Sequence, residues 1–207
     1  MGTYRHWIFP RLLDLVMRAP QVAAYRRRIV PRAHGRVLEV GIGSGLNLPL
    51  YGPAVQSLYG LDPSTELLQM TTRRAQQAGI DIQLFDRSAE QIPLEDRSVD
   101  TVVMTWTLCS IPDPLGALRE MRRVLKPGGE LLFVEHGLAP DAGVRAWQHR
   151  LNPLWNRMAG GCNLDRKMDE LIAAAGFRLT ELDTGYAPGP QLARPWTYMY
   201  DGCAERD

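Results

Sequence analysis

Between Arg36 and Gly45 the chain reads RVLEVGIGSG, an apolar run that passes without a break into a turn with glycine at 41, 43 and 45. A buried strand feeding a glycine-rich turn is the opening of an open α/β sheet, because only glycine tolerates positive φ and lets a ligand approach the backbone closely. The turn departs from the dinucleotide fingerprint GxGxxG, since Leu46 stands where the third spacing requires glycine. Glu39 precedes the glycines and adds negative charge where a pyrophosphate would sit, which suits a cationic ligand better. Asp62 follows 21 residues after Gly41, in Asp62-Pro63-Ser64, where a carboxylate can accept both hydroxyls of a ribose or simply open the next helix.

The rest of the pattern alternates. Strands are expected over residues 36–40, 57–61, 80–85, 100–105 and 130–135. Helices are expected from Ser64 to Ala78, closed by Gly79, and from the Asp113-Pro114 pair to Leu125, stopped by Lys126-Pro127-Gly128-Gly129. The tail reads as a helix over 165–175 with Asp165 as N-cap, then strands over 177–182 and 197–203 with no helix between them. This predicts a Rossmann-like, doubly wound, mostly parallel seven-stranded sheet with one antiparallel strand near the C-terminus. Residues 1–35 read as a helical cap segment, with short helices over 10–18 and 20–29, and 36–207 as the ligand-binding domain of one compact unit.

Ligands in such sheets bind beyond the carboxyl ends of the strands. Those ends nominate Glu39, Gly41, Gly43, Gly45, Asp62, Pro63, Ser88, Ala89, Glu90, Thr105 and His136. Ser88-Ala89-Glu90 stands where side-chain and backbone groups commonly read an adenine edge, or forms a polar loop. His136 is the best base or orienting residue, and Arg166 could reach an anionic acceptor. Cys109 reads as pocket lining, and Trp147, Trp155 and Trp196 as apolar walls or core.

The order VLEVGIGSG, GLDPS, SAEQIPLEDRSVD, REMRRVLKPGG and AAAGF resembles the class I S-adenosylmethionine (SAM)-dependent methyltransferases with a type 11 domain. The segments IFPRLLDLVMR, LCSIPDP, VEHG and GCNLDR are similar to the methyltransferase-like alkyl-thiol methyltransferases. The resemblance implies SAM as cofactor and a metal-free transfer to a small-molecule acceptor. It places Glu39, Gly41, Gly43 and Gly45 around the methionine part, Asp62 on the ribose, and Ser88 and Ala89 beside the adenine. An alkyl thiol is the expected acceptor, with O-, N- or C-methylation of a lipid, quinone or other metabolite as the alternative. A NAD(P)-linked oxidoreductase or a non-catalytic SAM-binding module are more distant readings.

Net charge of +1 and the lack of a recognition domain argue against a nucleic-acid partner. Three cysteines without CxxC or Cys/His metal spacing imply a reducing, cytoplasmic setting and no bound metal. Charge is uneven: residues 1–36 hold eight Arg and one acid, leaving 16 basic and 22 acidic residues beyond. With Trp7, Ile8, Phe9, Leu12, Leu13, Val16 and Met17 interleaved with Arg5, Arg11 and Arg18, the N-terminal segment is expected to roof the crevice, with peripheral membrane contact as the other use of such a face.

Overall fold

A computed structural model describes residues 8–207; Arg5 and Trp7 lie outside the described residues. Seven strands form one sheet in the order β3-β2-β1-β4-β5-β7-β6. They are β1 Gly35–Val40, β2 Val55–Leu61, β3 Gln83–Phe85, β4 Val99–Thr105, β5 Leu125–His136, β6 Arg178–Tyr186 and β7 Tyr198–Glu205. The first five pair in parallel, and β7 inserts antiparallel between β5 and β6. No helix long enough for a crossover separates β6 from β7, so β7 must return antiparallel beside its neighbour. Strand order reverses between β1 and β4, and the crevice outside their carboxyl ends is the switch point of the sheet.

Both faces are covered, which is why β1 and β4 are apolar almost throughout. On one face Leu38, Val102, Met104, Leu131 and Phe133 pack with Leu118 and Met121 of α4 (Pro114–Val124) and Ile172 of α6 (Met168–Ala174). On the other, Val37, Val103, Leu132 and Val134 meet Ile29 of α2 (Pro20–Ile29) and Leu68 and Ala75 of α3 (Thr65–Ala78). The expected caps form: Ser64 Oγ accepts from Leu67 N–H, Asp113 accepts from Gly116 N–H, and Gly79 closes α3 at φ 66°.

Several boundaries differ for local reasons. The 126–129 turn is a bulge within β5, whose register against β4 shifts there, with Lys126 Nζ bonded to Asp100 Oδ1 at 2.6 Å. The helix expected from 165 begins at Met168, because Arg166 C=O accepts from Leu138 N–H and holds the chain extended. Asp165 is therefore not its N-cap; it faces His149 Nδ1 at 3.1 Å. Helix α5 (Ala142–Met158) carries Trp147 and Trp155 and contains Pro153.

Helix α1 (Phe9–Met17) is fastened by a buried acid. Asp14 Oδ1 accepts from Ser44 Oγ at 2.6 Å and from Arg74 Nη2 at 2.8 Å, while Oδ2 accepts from Arg18. Burial would raise the pKa of Asp14, but these hydrogen bonds outweigh it and the net shift is downward. At its other end α1 lays Phe9 against Gly160 so closely that a Cβ there would sit 2.7 Å from the ring. Ile8, Leu12, Leu15 and Val16 remain exposed on its outer side.

Replacing Asp14 with alanine removes the buried acceptor of Ser44 Oγ and of Arg74 Nη2, so it should cost about 1–3 kcal/mol. At roughly 2–4 °C per kcal/mol for a chain of this size, thermal denaturation near neutral pH would show the fall. An unchanged midpoint would mean that α1 is not held through this acid.

Candidate active site

The end of β1 sets the floor. Glu39 is 1% exposed; Asn47 Nδ2 donates to its Oε1 at 2.7 Å and Tyr51 Oη to its Oε2 at 2.8 Å. Asn47 Nδ2 also reaches Thr105 Oγ1 at 3.1 Å, joining β1 to the end of β4. Burial raises Glu39 to about 7, against those hydrogen bonds. In the turn, Gly41 has φ +70°, and a Cβ on it would lie 2.1 Å from Thr107 Oγ1. Gly43, at φ +57°, has nothing nearer than Gly41 O at 3.9 Å, so its open side is where a ligand can come close.

Asp62 opens the turn into the next helix, one of the two uses expected of it, and also braces the glycine turn. Its Oδ2 accepts from Gly43 N–H at 2.9 Å and its Oδ1 from Ser64 N–H at 2.8 Å, and burial raises it to about 6. An ionised carboxylate has further lone pairs for a ligand. Pro63 is exposed beside it. Past β3, Ala89 is buried, whereas Ser88 and Glu90 bond to each other at 2.8 Å and Glu90 Oε1 accepts from Asp113 N–H at 2.8 Å. Glu90 therefore ties this loop to the start of α4.

Arg26 of α2 was not foreseen. It is buried, with Nη1 on Met17 O at 2.8 Å and its guanidinium 4.9 Å from the Trp106 ring centre. Burial lowers it to about 10, with the Glu39 charge opposing. Arg26 Nε and Asn47 Oδ1 are buried and unpartnered. A triple Arg on a basic helix gives no sign of which one turns inward.

The loop after β4 is gripped from two sides. Glu135, fully buried, accepts from Thr107 N–H at 2.6 Å, Leu108 N–H at 2.9 Å and Cys109 N–H at 3.4 Å. Burial pushes it up to about 7, partly offset by the same donors. Arg166 Nη1 donates to Leu108 O at 2.5 Å and Ile111 O at 2.7 Å. That nitrogen holds the loop. Asn163 adds bonds from N–H and Nδ2 to Cys109 O, both at 2.9 Å.

These restraints bring Cys109, His136 and Cys162 together, with one donor atom of each within 4.8 Å of the others. Their sequence separations hid this proximity. His136 Nε2 lies 3.0 Å from Cys162 Sγ, which also accepts from Trp155 Nε1 at 3.3 Å. Burial pushes the His136 imidazole down, and its bond to Cys162 carries the net shift upward. Cys162 is drawn down to about 4, first by Cys109, against desolvation and helped by His136, while Cys109 rises. His136 Nδ1 and Trp196 Nε1 are buried without partners. Trp155 and Trp196 meet edge to face at 5.8 Å, as a wall. Trp147 is not part of it; it is exposed beneath Arg150.

Residues 38–133 match the methyltransferase domain family. The chain is 34% identical over 169 residues to thiol S-methyltransferase TMT1A of Homo sapiens, covering 79% of this chain and 69% of that protein. It is also 34% identical over 193 residues to phosphatidylethanolamine N-methyltransferase of Cereibacter sphaeroides, covering 90% and 91%. The crystal structure of YcgJ from Bacillus subtilis shares the fold with a TM-score of 0.66, at 20% identity over 89% of this chain and 95% of that one.

The grip on the loop has a pH signature. Glu135, raised from 4.5 to about 7, favours the folded state when protonated. Its contribution is complete below the unfolded value and is lost as pH rises through the folded one. Glu135→Gln cannot titrate, so wild type should lose stability relative to it between pH 5 and pH 8 in urea unfolding. Parallel curves would show that Glu135 has ordinary acidity.

Proposed function

We propose, from the premise that this chain belongs to the SAM-dependent methyltransferases, that its methyl acceptor is a small alkyl thiol. SAM supplies an activated methyl on a sulfonium, which a nucleophile displaces in line; the protein orients the partners and excludes water. The residues present fit SAM. Glu39 faces the cationic ammonium of its methionine part, Arg26 Nε takes the carboxylate, and Asp62 accepts the ribose hydroxyls. The unpartnered Arg26 Nε and Asn47 Oδ1 support this, being buried polar atoms that await a ligand. Gly41, Gly43 and Gly45 shape the backbone beneath it, and Ala89, between Ser88 and Glu90, borders the adenine.

The thiol reading rests on one observation: His136 Nδ1, at the end of β5, is buried without a partner. Glu135 beside it is occupied by backbone donors. An imidazole suits a thiol, whose pKa of about 8.5 already leaves some thiolate near neutral pH, and suits an alcohol poorly. The thiol S-methyltransferase relative points the same way. A second reading, the amine of a lipid headgroup, draws on the exposed apolar face of α1 and on the lipid N-methyltransferase relative. Among the described residues no helix is long and apolar enough to cross a membrane.

A transfer assay with labelled SAM, offered alkyl thiols in buffer and phosphatidylethanolamine vesicles in parallel, decides between them. Methylation of the thiols alone is expected, and labelled lipid alone would replace the thiol. His136→Ala should lower kcat far more than it weakens SAM; wild-type turnover would make His136 structural.

Cofactor binding should tighten as pH rises from about 5.5 to 7.5, because Glu39 near 7 and Asp62 near 6 must ionise to meet a cation and ribose hydroxyls. Calorimetry should show a SAM affinity that climbs over this range, and Glu39→Gln should flatten much of the climb. A pH-independent affinity would remove Glu39 from the site. Deleting residues 1–18 should weaken SAM binding as well as turnover, since Asp14 buttresses Ser44 in the glycine turn. Intact SAM affinity would confine α1 to the acceptor side.

A further inference from the structure

The cluster at the end of β5 has a composition that methyl transfer does not require. Two sulfurs and an imidazole nitrogen come from three separate segments: the loop after β4, the last residue of β5, and the turn between α5 and α6. All three residues are buried, and Cys109 is only 2% exposed. Apart from the His136–Cys162 contact, the bonds that place the Cys109 loop lie outside the cluster. Glu135 holds the Cys109 N–H, Asn163 holds the Cys109 carbonyl, and Arg166 holds the carbonyls of Leu108 and Ile111. Gly160 and Gly161, at φ +65° and +97°, bend the chain so that Cys162 turns inward. The donors are thus set in place before any ligand arrives.

Their chemistry is selective. Thiolate and imidazole together favour a borderline-soft d10 cation and disfavour magnesium or calcium, which take oxygen. Tetrahedral zinc, with bonds of about 2.3 Å to sulfur and 2.0 Å to nitrogen, needs donors about 3.5–3.8 Å apart. Separations within 4.8 Å, and 3.0 Å for the His136–Cys162 pair, reach that spacing by side-chain adjustment alone. The unpartnered Nδ1 of His136 marks Nε2 as the nitrogen aimed into the cluster.

We propose that Cys109 Sγ, His136 Nε2 and Cys162 Sγ form a binding site for zinc(II), with one coordination position left for a ligand from outside. Binding forms two metal–sulfur bonds and one metal–nitrogen bond and releases two protons, one from Cys109 and one from the Cys162–His136 pair. Two thiolates then neutralise the charge of the cation, so the buried site carries none. Three protein donors and one free position are the arrangement of a zinc that exchanges its fourth ligand. The metal would also staple the loop after β4 to β5 and to the α5–α6 turn. With zinc on Nε2 the Nδ1 of His136 carries the proton, so His136 would orient the acceptor rather than deprotonate it, whichever acceptor is methylated.

The test uses the full chain, stripped with a chelator and kept reduced by a phosphine, titrated with cobalt(II) as a spectroscopic stand-in. The expected result is a thiolate-to-metal charge-transfer band that saturates at one equivalent and is bleached by zinc. Cys109→Ser and Cys162→Ser should each weaken zinc, measured against a chromophoric chelator, by at least about tenfold. Cys203→Ser, in β7 away from the cluster, should leave it unchanged. Zinc should also protect two of the three thiols from alkylation. Absence of the band in the wild-type protein, with all three cysteines alkylated alike with and without zinc, overturns the proposal whether or not the variants fold. A band that survives both cluster substitutions overturns it too, since the metal then sits elsewhere.

Discussion

A single buried carboxylate organises the catalytic end of this molecule. Where β4 ends, three successive backbone N–H groups, from Thr107 to Cys109, have no strand to pair with, and all three point at Glu135. Leaving such donors unmet in a dry interior costs about 1–3 kcal/mol apiece, and Glu135 meets them although its own burial raises its pKa to about 7. Arg166 completes the arrangement by meeting the carbonyls of the same loop. The loop has no freedom left, and its fixed position sets the rest. Thr107 presses on Gly41, which must then be glycine for reasons of space as well as φ. Trp106 is held at φ 51°, a conformation that a bulky residue adopts only when its surroundings over-determine it.

The uneven charge along the chain resolves inside the fold. Arg28 pairs with Asp183 and Asp201, and Arg32 with Glu181, so the basic N-terminal helices neutralise the acidic β6–β7 hairpin. Arg18 serves Asp14, and Arg26 is buried next to Trp106. A cluster of arginines that looks like a footprint for an anionic surface is here largely engaged by the protein itself. What α1 leaves outward is Leu12, Leu15 and Val16 together with Arg11.

Where backbone chemistry decided a feature, the sequence was legible. The mostly parallel seven-stranded sheet with an antiparallel strand near the C-terminus, the caps at Ser64 and Asp113 and the turn at Gly79 follow from periodicity and from residue types with a single conformational use. The strand ends nominated Glu39, Asp62 and His136, and each is buried at the crevice. What escaped was long-range. Nothing local tells that Arg166 reaches back 58 residues to Leu108, that Glu135 caps a loop, or which arginine of Arg26-Arg27-Arg28 turns inward. Cys109, His136 and Cys162 carry no motif because their proximity is made by three different segments. The 126–129 stretch misled in another way, since glycine and proline signal a turn and a strand bulge alike.

Helix α1 bears on two separate parts of the fold. One of its ends bears on Gly160, beside the turn that carries Cys162, and its buried acid bears on Ser44 in the glycine turn. Losing Asp14 takes the acceptor away from Ser44 Oγ and from Arg74 Nη2, so the seating of α1 and the shape of the glycine turn are tied through one acid. That tie explains why an acid stands in the middle of an otherwise apolar and basic helix.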